Sequence, residues 1–320
     1  MPRYIRNTVI LLKNEVTAGT DAVPTGAANA LLVSDMSIAP LDAQNVDRNL
    51  MRGYFGASEQ LVGVASVKAS FTLELAGSGA AGTAPAWGAA MQACAIAEGI
   101  LATPARVEYT PVSSSLKTAT VYYYDDGVLH KLLGVMGNVT LSAKVGERPV
   151  LKFDVVGVDG GVTATANATP TYTAWKAPVA MKMSNVVDVT LGASYATGAL
   201  SGGTAYSSSG IEINLGNSVN FTALLGSETV DITDRQVTGS TELDLTAAQE
   251  VTLMTSVKAN TLQSLGFTIG TATGYKMIIH APAVQLINPK KVDKNGRRLI
   301  GFDMRFVPQS GNDEFRLACV

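Results

Sequence analysis

The chain has only two cysteines and two histidines among its 320 residues. Cys94 and Cys319 lie far apart, and no CxxC pair or Cys/His cluster occurs, which argues against a structural zinc. Cys94 falls in an apolar stretch and reads as a buried thiol. Charged residues are scarce at 16%, and Lys+Arg 24 nearly balance Asp+Glu 26, so the basic excess that accompanies tight nucleic-acid binding is missing. Aromatic residues reach only 6%, with Trp87 and Trp175 the two tryptophans, a poor basis for a carbohydrate-binding module. No stretch of ~18 uninterrupted apolar residues exists, and no membrane span is expected. The opening MPRYIRNTVILLKNE holds no long apolar run ending in a small-residue cleavage site, so the chain is expected to stay in a reducing cytoplasm. GxSxG and HExxH are also absent.

What the chain does have is strand signal. Its 47% hydrophobic content excludes disorder, and 31 glycines with abundant Thr, Ser and Val favour strands and turns. From Val67 to Leu75 apolar and polar residues alternate with period two, as in a strand with one buried and one solvated face. Val237 to Leu245, Val150 to Val156 and Ile300 to Phe306 read the same way. Tyr122-Tyr123-Tyr124 leads through Asp125-Asp126-Gly127 into Val128-Leu129-His130, the pattern of a tight hairpin. Alternation puts Tyr122 and Tyr124 on one face. One helix per half is expected. The first runs from Ala86 to Ala97 between Pro85 and Gly99, and the second from Ala247 to Val257 with Glu250 in its first turn and Lys258 at its end.

The sequence also repeats itself. Gly56-Ala57-Ser58-Glu59 through Leu75 aligns without a gap on Gly226-Ser227-Glu228-Thr229 through Leu245, an offset of 170 positions. Val139 and Leu141, then Phe153-Asp154, echo Val284 and Leu286, then Phe302-Asp303. On this alignment the second hairpin is the longer. Its extra residues fall in a basic tip of Lys290, Lys291, Lys294, Arg297 and Arg298 around Asn295-Gly296, while His130 and His280 do not correspond. The two copies imply a first domain over 1–165, a linker over 166–180 and a second domain over 181–320. The Gly160–Thr173 stretch reads as part of a coreless connection.

Chemical motifs are few. Gly77-Ser78-Gly79-Ala80-Ala81-Gly82 spells GxGxxG between a strand and a helix, which would suit a nucleotide-binding enzyme. The strand before it alternates rather than being apolar throughout, and Pro85 starts the helix beyond the last glycine, so a surface loop without cofactor is the better reading. Asp231, Asp234 and Arg235 form a charged cluster that suits turn or inter-subunit contacts better than a cation site. No cofactor, metal or catalytic residue is expected, and hence no enzyme.

The runs AGSGAAGTAPAWG (Ala76 to Gly88), YTPVSSS (Tyr109 to Ser115), YYYDDGVLHKL (Tyr122 to Leu132), GSETVDITDR (Gly226 to Arg235) and SGNDE (Ser310 to Glu314) follow one another along the chain. Together they resemble the tail tube protein, or major tail protein, of long flexible-tailed bacteriophages (siphophages), in its duplicated two-domain form. The resemblance implies a mainly β (α+β) fold of two tandem β-sandwich domains, each with one flanking helix. It also implies a virion subunit, assembled in the host cytoplasm, whose rings stack into a conduit for the genome. Two domains per chain imply a homotrimeric ring of pseudo-sixfold symmetry. Expected partners are other copies of the chain, the tape-measure protein and double-stranded DNA passing through without specific binding, and the terminator and distal tail proteins; no membrane is involved. A terminator or baseplate ring of the same fold is the structural alternative. On this view the polar strand faces carry lumen residues: Glu74, Asp154, Glu242, Asp244 and Asp303, with Lys152 and Arg305, giving a net negative wall that repels phosphate. Gly77 and Gly79, the basic tip, and Asp125 and Asp126 are expected at contacts between subunits or rings.

Overall fold

The computed structural model describes residues 2–320. The protein is mainly β, with 21 strands, three short α-helices and one 3₁₀ turn among the described residues. The first half supplies β1 (Thr8–Asn14), α1 (Gly26–Asn29), β2 (Ala30–Leu31), β3 (Val33–Asp47), β4 (Gln60–Glu74), α2 (Gly88–Gln92), β5 (Ile96–Ala102), β6 (Ala105–Pro111), β7 (Ala119–Asp125), β8 (Val128–Lys144) and β9 (Val150–Ala164). The second half supplies β10 (Val186–Leu191), β11 (Ser194–Ala196), β12 (Ala199–Ser201), β13 (Thr204–Tyr206), β14 (Ser208–Asn214), β15 (Asn217–Leu224), β16 (Ser227–Arg235), β17 (Thr238–Leu243), α3 (Ala247–Lys258), β18 (Leu262–Ile269), β19 (Met277–Lys294), β20 (Arg297–Phe306) and β21 (Arg316–Cys319).

One antiparallel sheet organises the molecule. Its order is β3-β4-β9-β8 from the first half, then β14-β17-β20-β19 from the second. The halves meet edge to edge at β8 and β14, where Lys144 faces Gly210, Ser142 faces Glu212 and Thr140 faces Asn214. Further strands extend this network. The early part of β8 also pairs with β7, and β7 with β1. The early part of β19 takes β18 on one edge and β21 on the other. β21 in turn pairs with β6, so a hairpin of the first half is tied to the last strand of the second. Bulges at Leu133–Met136 in β8 and at Ile287–Lys290 in β19 interrupt the two long strands, each near a residue of positive φ, Gly134 and Asn288.

Alternation decides what each face of the sheet meets. Phe71 of β4 and Phe153 of β9 are opposite in register and stack at 5.3 Å between ring centroids, fully buried. Leu73, Leu141, Ile211, Ile213, Leu243, Phe302 and Met304 continue the buried cluster across both halves. Trp87 is 1% exposed, donates its indole N–H to Ala76 O at 2.8 Å and packs 4.7 Å from Tyr109. Tyr122 and Tyr124 do share a face, in a smaller cluster with Val9, Leu11 and Leu129.

Register amends several expectations. The 170-position offset holds, because Phe71 opposite Phe153 becomes Thr241 opposite Phe302. The match of Val139 to Val284 does not hold. Val139 faces Phe153, whereas Val284 faces Phe306, not Phe302. The counterpart of Thr140, which faces Lys152, is Lys290, which faces Gly301. On this register the second hairpin is not the longer: its turn is the tight Asn295–Gly296 pair, both with positive φ. Before the β19 bulge the strands match with Val135 at Val284 and Leu132 at Ala281, which sets His280 at the place of Lys131, so the two histidines do not correspond, as expected. Gly160–Ala164 belong to β9 rather than to the connection, which is pinned by Trp175 Nε1 donating to Ala30 O at 2.9 Å.

α3 forms as expected, with Thr246 and Gln249 closing a capping box, Glu250 in the first turn and Lys258 in the last. The first helix is shorter than the Ala86–Ala97 expectation. Ala95 turns at φ +57, and Ile96 begins β5, which pairs along its length with β6. That ladder offers Ile96–Ala102 partners that a continued helix would forgo. Replacing Phe153 with alanine removes the centre of the shared core, and should cost about 3–5 kcal/mol in urea unfolding. A loss below about 1 kcal/mol would show that the sheet does not depend on this pair.

Candidate functional site

The face opposite the core is polar and runs unbroken across both halves. Ser37, Ser70, Asp154 and Asn138 stand side by side in β3, β4, β9 and β8. Thr72, Lys152, Thr140, Asn214, Thr238 and Arg305 form the next row. Glu74, Val150, Ser142, Glu212, Ser240 and Asp303 form the one after. Glu242 follows two residues after Ser240 on the same face, opposite Gly301, and Asp244 continues that alternation. All seven residues expected on the polar strand faces, Glu74, Lys152, Asp154, Glu242, Asp244, Asp303 and Arg305, therefore share one surface.

This surface is mixed in charge rather than acidic. Lys144 pairs with Glu212 at 3.0 Å, Arg148 with Glu74 at 2.7 Å, Lys152 with Asp154 at 3.8 Å and Lys290 with Asp303 at 3.9 Å. Arg297 bonds Asp244, and Lys68 bonds Asp42. Alternation along a strand could locate these lysines on the face, but not the pairing of Lys68, Lys144 and Lys290 with carboxylates of the next strand. The expectation of a net negative wall from Glu74, Asp154, Glu242, Asp244 and Asp303 with Lys152 and Arg305 left out Lys68, Lys144, Arg148, Lys290 and Arg297, which pair with acids of this face.

The seam between halves holds residues that the sequence reading passed over. Asn138 Nδ2 donates to Asn214 Oδ1 at 2.8 Å, and Asn217 N donates to Asn138 Oδ1 at 3.0 Å. Asn217 Nδ2 reaches Cys94 O at 2.8 Å and Gly137 O at 3.0 Å. Gly216 makes the bend possible, with φ +64 and no room for a Cβ, which would stand 2.1 Å from Gln236 O. Beyond it, β15 and β16 form a hairpin arm that lies against β8 and β9. The Asn-Leu-Gly-Asn run at 214–217, between two alternating stretches, was the available signal.

The remaining candidates disperse. Gly77 and Gly79 are used within the chain: Gly79 N donates to Gly274 O at 3.0 Å, and a Cβ on Gly77 would stand 2.1 Å from the same oxygen. The strand before this loop is antiparallel to both neighbours, and α2 begins only at Gly88, so no helix N-terminus faces the glycines. Asp125 pairs with Arg3 at 3.6 Å, and Asp126 accepts from Tyr4 N at 2.7 Å. Their turn opens β8, whereas Lys290, Lys291, Lys294, Arg297 and Arg298 lie at the late end of β19 and the start of β20, matching the far end of β8. Lys291 pairs with Glu250 of α3 at 3.5 Å. Asp234 accepts from Arg235 N, and Asp231 from Thr229 Oγ1.

A cavity of about 550 Å³ lies between the base of β16 and the segment after β20. It is crossed by a buried ion pair, Arg235 Nε to Glu314 Oε1 at 2.6 Å, with Arg235 Nη1 also bonded to Val112 O. Among the described residues no group of three or more His, Cys, Asp or Glu could hold a metal ion, and no helix is long and apolar enough to cross a membrane. Burial pushes the Cys94 thiol far up and that of Cys319 to about 12, so both stay protonated near neutrality.

A sheet that carries polar residues on one face, a continuous core on the other and loose edges at both ends is the framework of an assembling structural protein. A model of the phage tail tube protein family matches residues 5–306, and the chain belongs to that family. It is a structural subunit of a phage tail tube and a component of the virion. No curated protein sequence matches it.

The tie between β6 and β21 supplies a pH test. Glu108 accepts from Arg106 Nε at 2.6 Å and Tyr195 OH at 2.7 Å, with Arg316 at 3.6 Å. Burial raises its pKa, but these partners outweigh it and hold the carboxyl below its ordinary value of 4.5. Its contribution is complete above that value and is lost as pH falls through the lower, folded-state pKa. Unfolding free energy measured from pH 6 to 3 should therefore fall more steeply in the native chain than in Glu108→Gln. Equal slopes would show that the cluster is electrostatically idle.

Proposed function

We propose that three copies of this chain close into a ring whose polar sheet face lines the lumen of the tube of a siphophage tail. The observation that carries this reading is the single sheet to which each half contributes four strands. Three chains would make a barrel of about 24 strands, and at ~4.8 Å spacing and ~45° tilt its backbone diameter is roughly 50 Å. Side chains of roughly 5 Å on each wall leave about 40 Å, wider than a DNA duplex, whose grooves imply a rod of roughly 20 Å. The two halves make the ring pseudo-sixfold, each first half meeting a second half on both sides.

In this role Glu74, Lys152, Asp154, Glu242, Asp244, Asp303 and Arg305 face the passing genome. Lysines held by carboxylates offer phosphate little free positive charge, so DNA and the tape-measure protein pass without specific binding. The chain does no chemistry; its partners are its own copies, the tape-measure protein, the terminator and the distal tail proteins, and it assembles in the host cytoplasm. The Asp125–Asp126 turn and the basic end of β19–β20 lie toward opposite ends of the sheet, where stacked rings would meet. Electron microscopy of the purified chain should show threefold rings or tubes, and native mass measurement of single rings should give three chains. Rings of six chains, or a chain that stays monomeric under all assembly conditions, would refute the reading.

A further inference from the structure

Inside the chain the two halves join where β8 pairs with β14. Two edges of the eight-stranded sheet are unpaired among the described residues: β3 on one side, and β19 beyond its last β18 partner at Gln285 on the other. These are the structural counterparts of β14 and β8, which pair with each other. Met36 faces Phe71 as Ile211 faces Thr241, so β3 maps onto β14. Thr140 faces Lys152 as Lys290 faces Gly301, so late β8 maps onto late β19. We infer that β19 of one copy pairs antiparallel with β3 of a second copy, with Lys294 opposite Asp35, Val292 opposite Ser37 and Lys290 opposite Ala39. The inference rests on the ring reading above and adds which edges meet and in what register.

Four observations converge on this register. The first is hydrogen-bond phase. Val145 N donates to Ser209 O, and Leu215 N to Val139 O, so odd-numbered residues of late β8 turn their backbone groups toward β14. In β19 the Asn295–Gly296 turn makes Lys294 and Arg297 an inward pair, which leaves Lys291 and Asp293, the counterparts of Leu141 and Ala143, with backbone groups facing outward. The second is charge. Within the paired stretch the register sets the acid of β3, Asp35, opposite Lys294, and β3 holds no cation to oppose it. The third is proline. The register sets Pro40 opposite Pro289, so the ladder stops where neither strand has an N–H to leave unpaired.

The fourth is the arm. In the second half, β15–β16 bends away and lies on β8 and β9. The matching arm of the first half is the far part of the β3–β4 hairpin. In the lone chain it exposes Leu50, Met51, Tyr54 and Phe55, the second and fourth completely. A second copy docked through β19 brings its β19–β20 pair to the place beside this arm that β8 and β9 take beside β15–β16. Large apolar residues then have a partner, as contiguous exposed apolar surface on a subunit commonly does.

The test is cysteine cross-linking in the full chain. Ser37 and Val292 would form a non-hydrogen-bonded pair, whose Cα separation of about 4.5 Å suits a disulfide. The native thiols do not compete, being buried with raised pKa values. Ser37→Cys with Val292→Cys, oxidised after assembly, should give linked chains up to a covalent trimer on a non-reducing gel. Ser37→Cys with Lys290→Cys, two residues out of register, should give several-fold less. Charge reversal is the second arm: Asp35→Lys should reduce ring yield several-fold, and adding Lys294→Asp should restore it. Threefold rings in which the out-of-register pair links better, or in which reversal is not rescued, would overturn this register and leave the ring reading standing. A chain that never forms rings would overturn both.

Discussion

The pairing of β8 with β14 is the constraint from which the rest of the architecture follows. It converts two half-chains, each with a four-stranded sheet, into one surface with a single core and a single polar face. Neither half could leave that edge open safely, because an exposed strand edge is a template for uncontrolled pairing. The junction satisfies it with backbone hydrogen bonds and locks it with Asn138, Asn214 and Asn217, whose amides bond one another and the backbone across the seam. The same solution leaves two edges, β3 and late β19, and a ring is the arrangement that removes both.

The electrostatics of the polar face follow from that geometry. Neighbouring strands in register bring Lys144 to Glu212 and Lys290 to Asp303. Exposed pairs of this kind contribute little stability, about 0–1 kcal/mol each. Their consequence is local neutralisation. As the wall of the proposed lumen, paired charges would present neither a sink nor a strong barrier to a polyanion.

Much of this was legible in the sequence because period-two alternation is a direct image of the pleat. The strand at 67–75 and its copy at 237–245, the Asp126–Gly127 hairpin, the capped α3 and the seven residues on one face all follow from local pattern. What local pattern could not supply was register. Matching Val139 to Val284 was reasonable by residue type, yet the bulge at Ile287–Lys290 and the different turn lengths displace the true correspondence to Thr140 and Lys290. The overlong first helix failed for a similar reason: β6 lies in wait for Ile96–Ala102, and pairing at a distance overrides helix preference. The loop of Gly77 and Gly79 looked available because nothing nearby in sequence occupies it; its partner, Gly274, is almost two hundred residues away.

In the proposed ring the two open edges of the sheet become a backbone ladder on assembly. Hydrogen–deuterium exchange, compared between the unassembled chain and purified tubes, tests it at the backbone itself. The outward amides of Met36 and Ile38 in β3, and of Lys291 and Asp293 in β19, should exchange rapidly in the unassembled chain and become strongly protected in tubes. Core amides of β4 and β9 should be slow in both states. Tubes in which the β3 and β19 edge amides still exchange as fast as in the free chain would contradict the account.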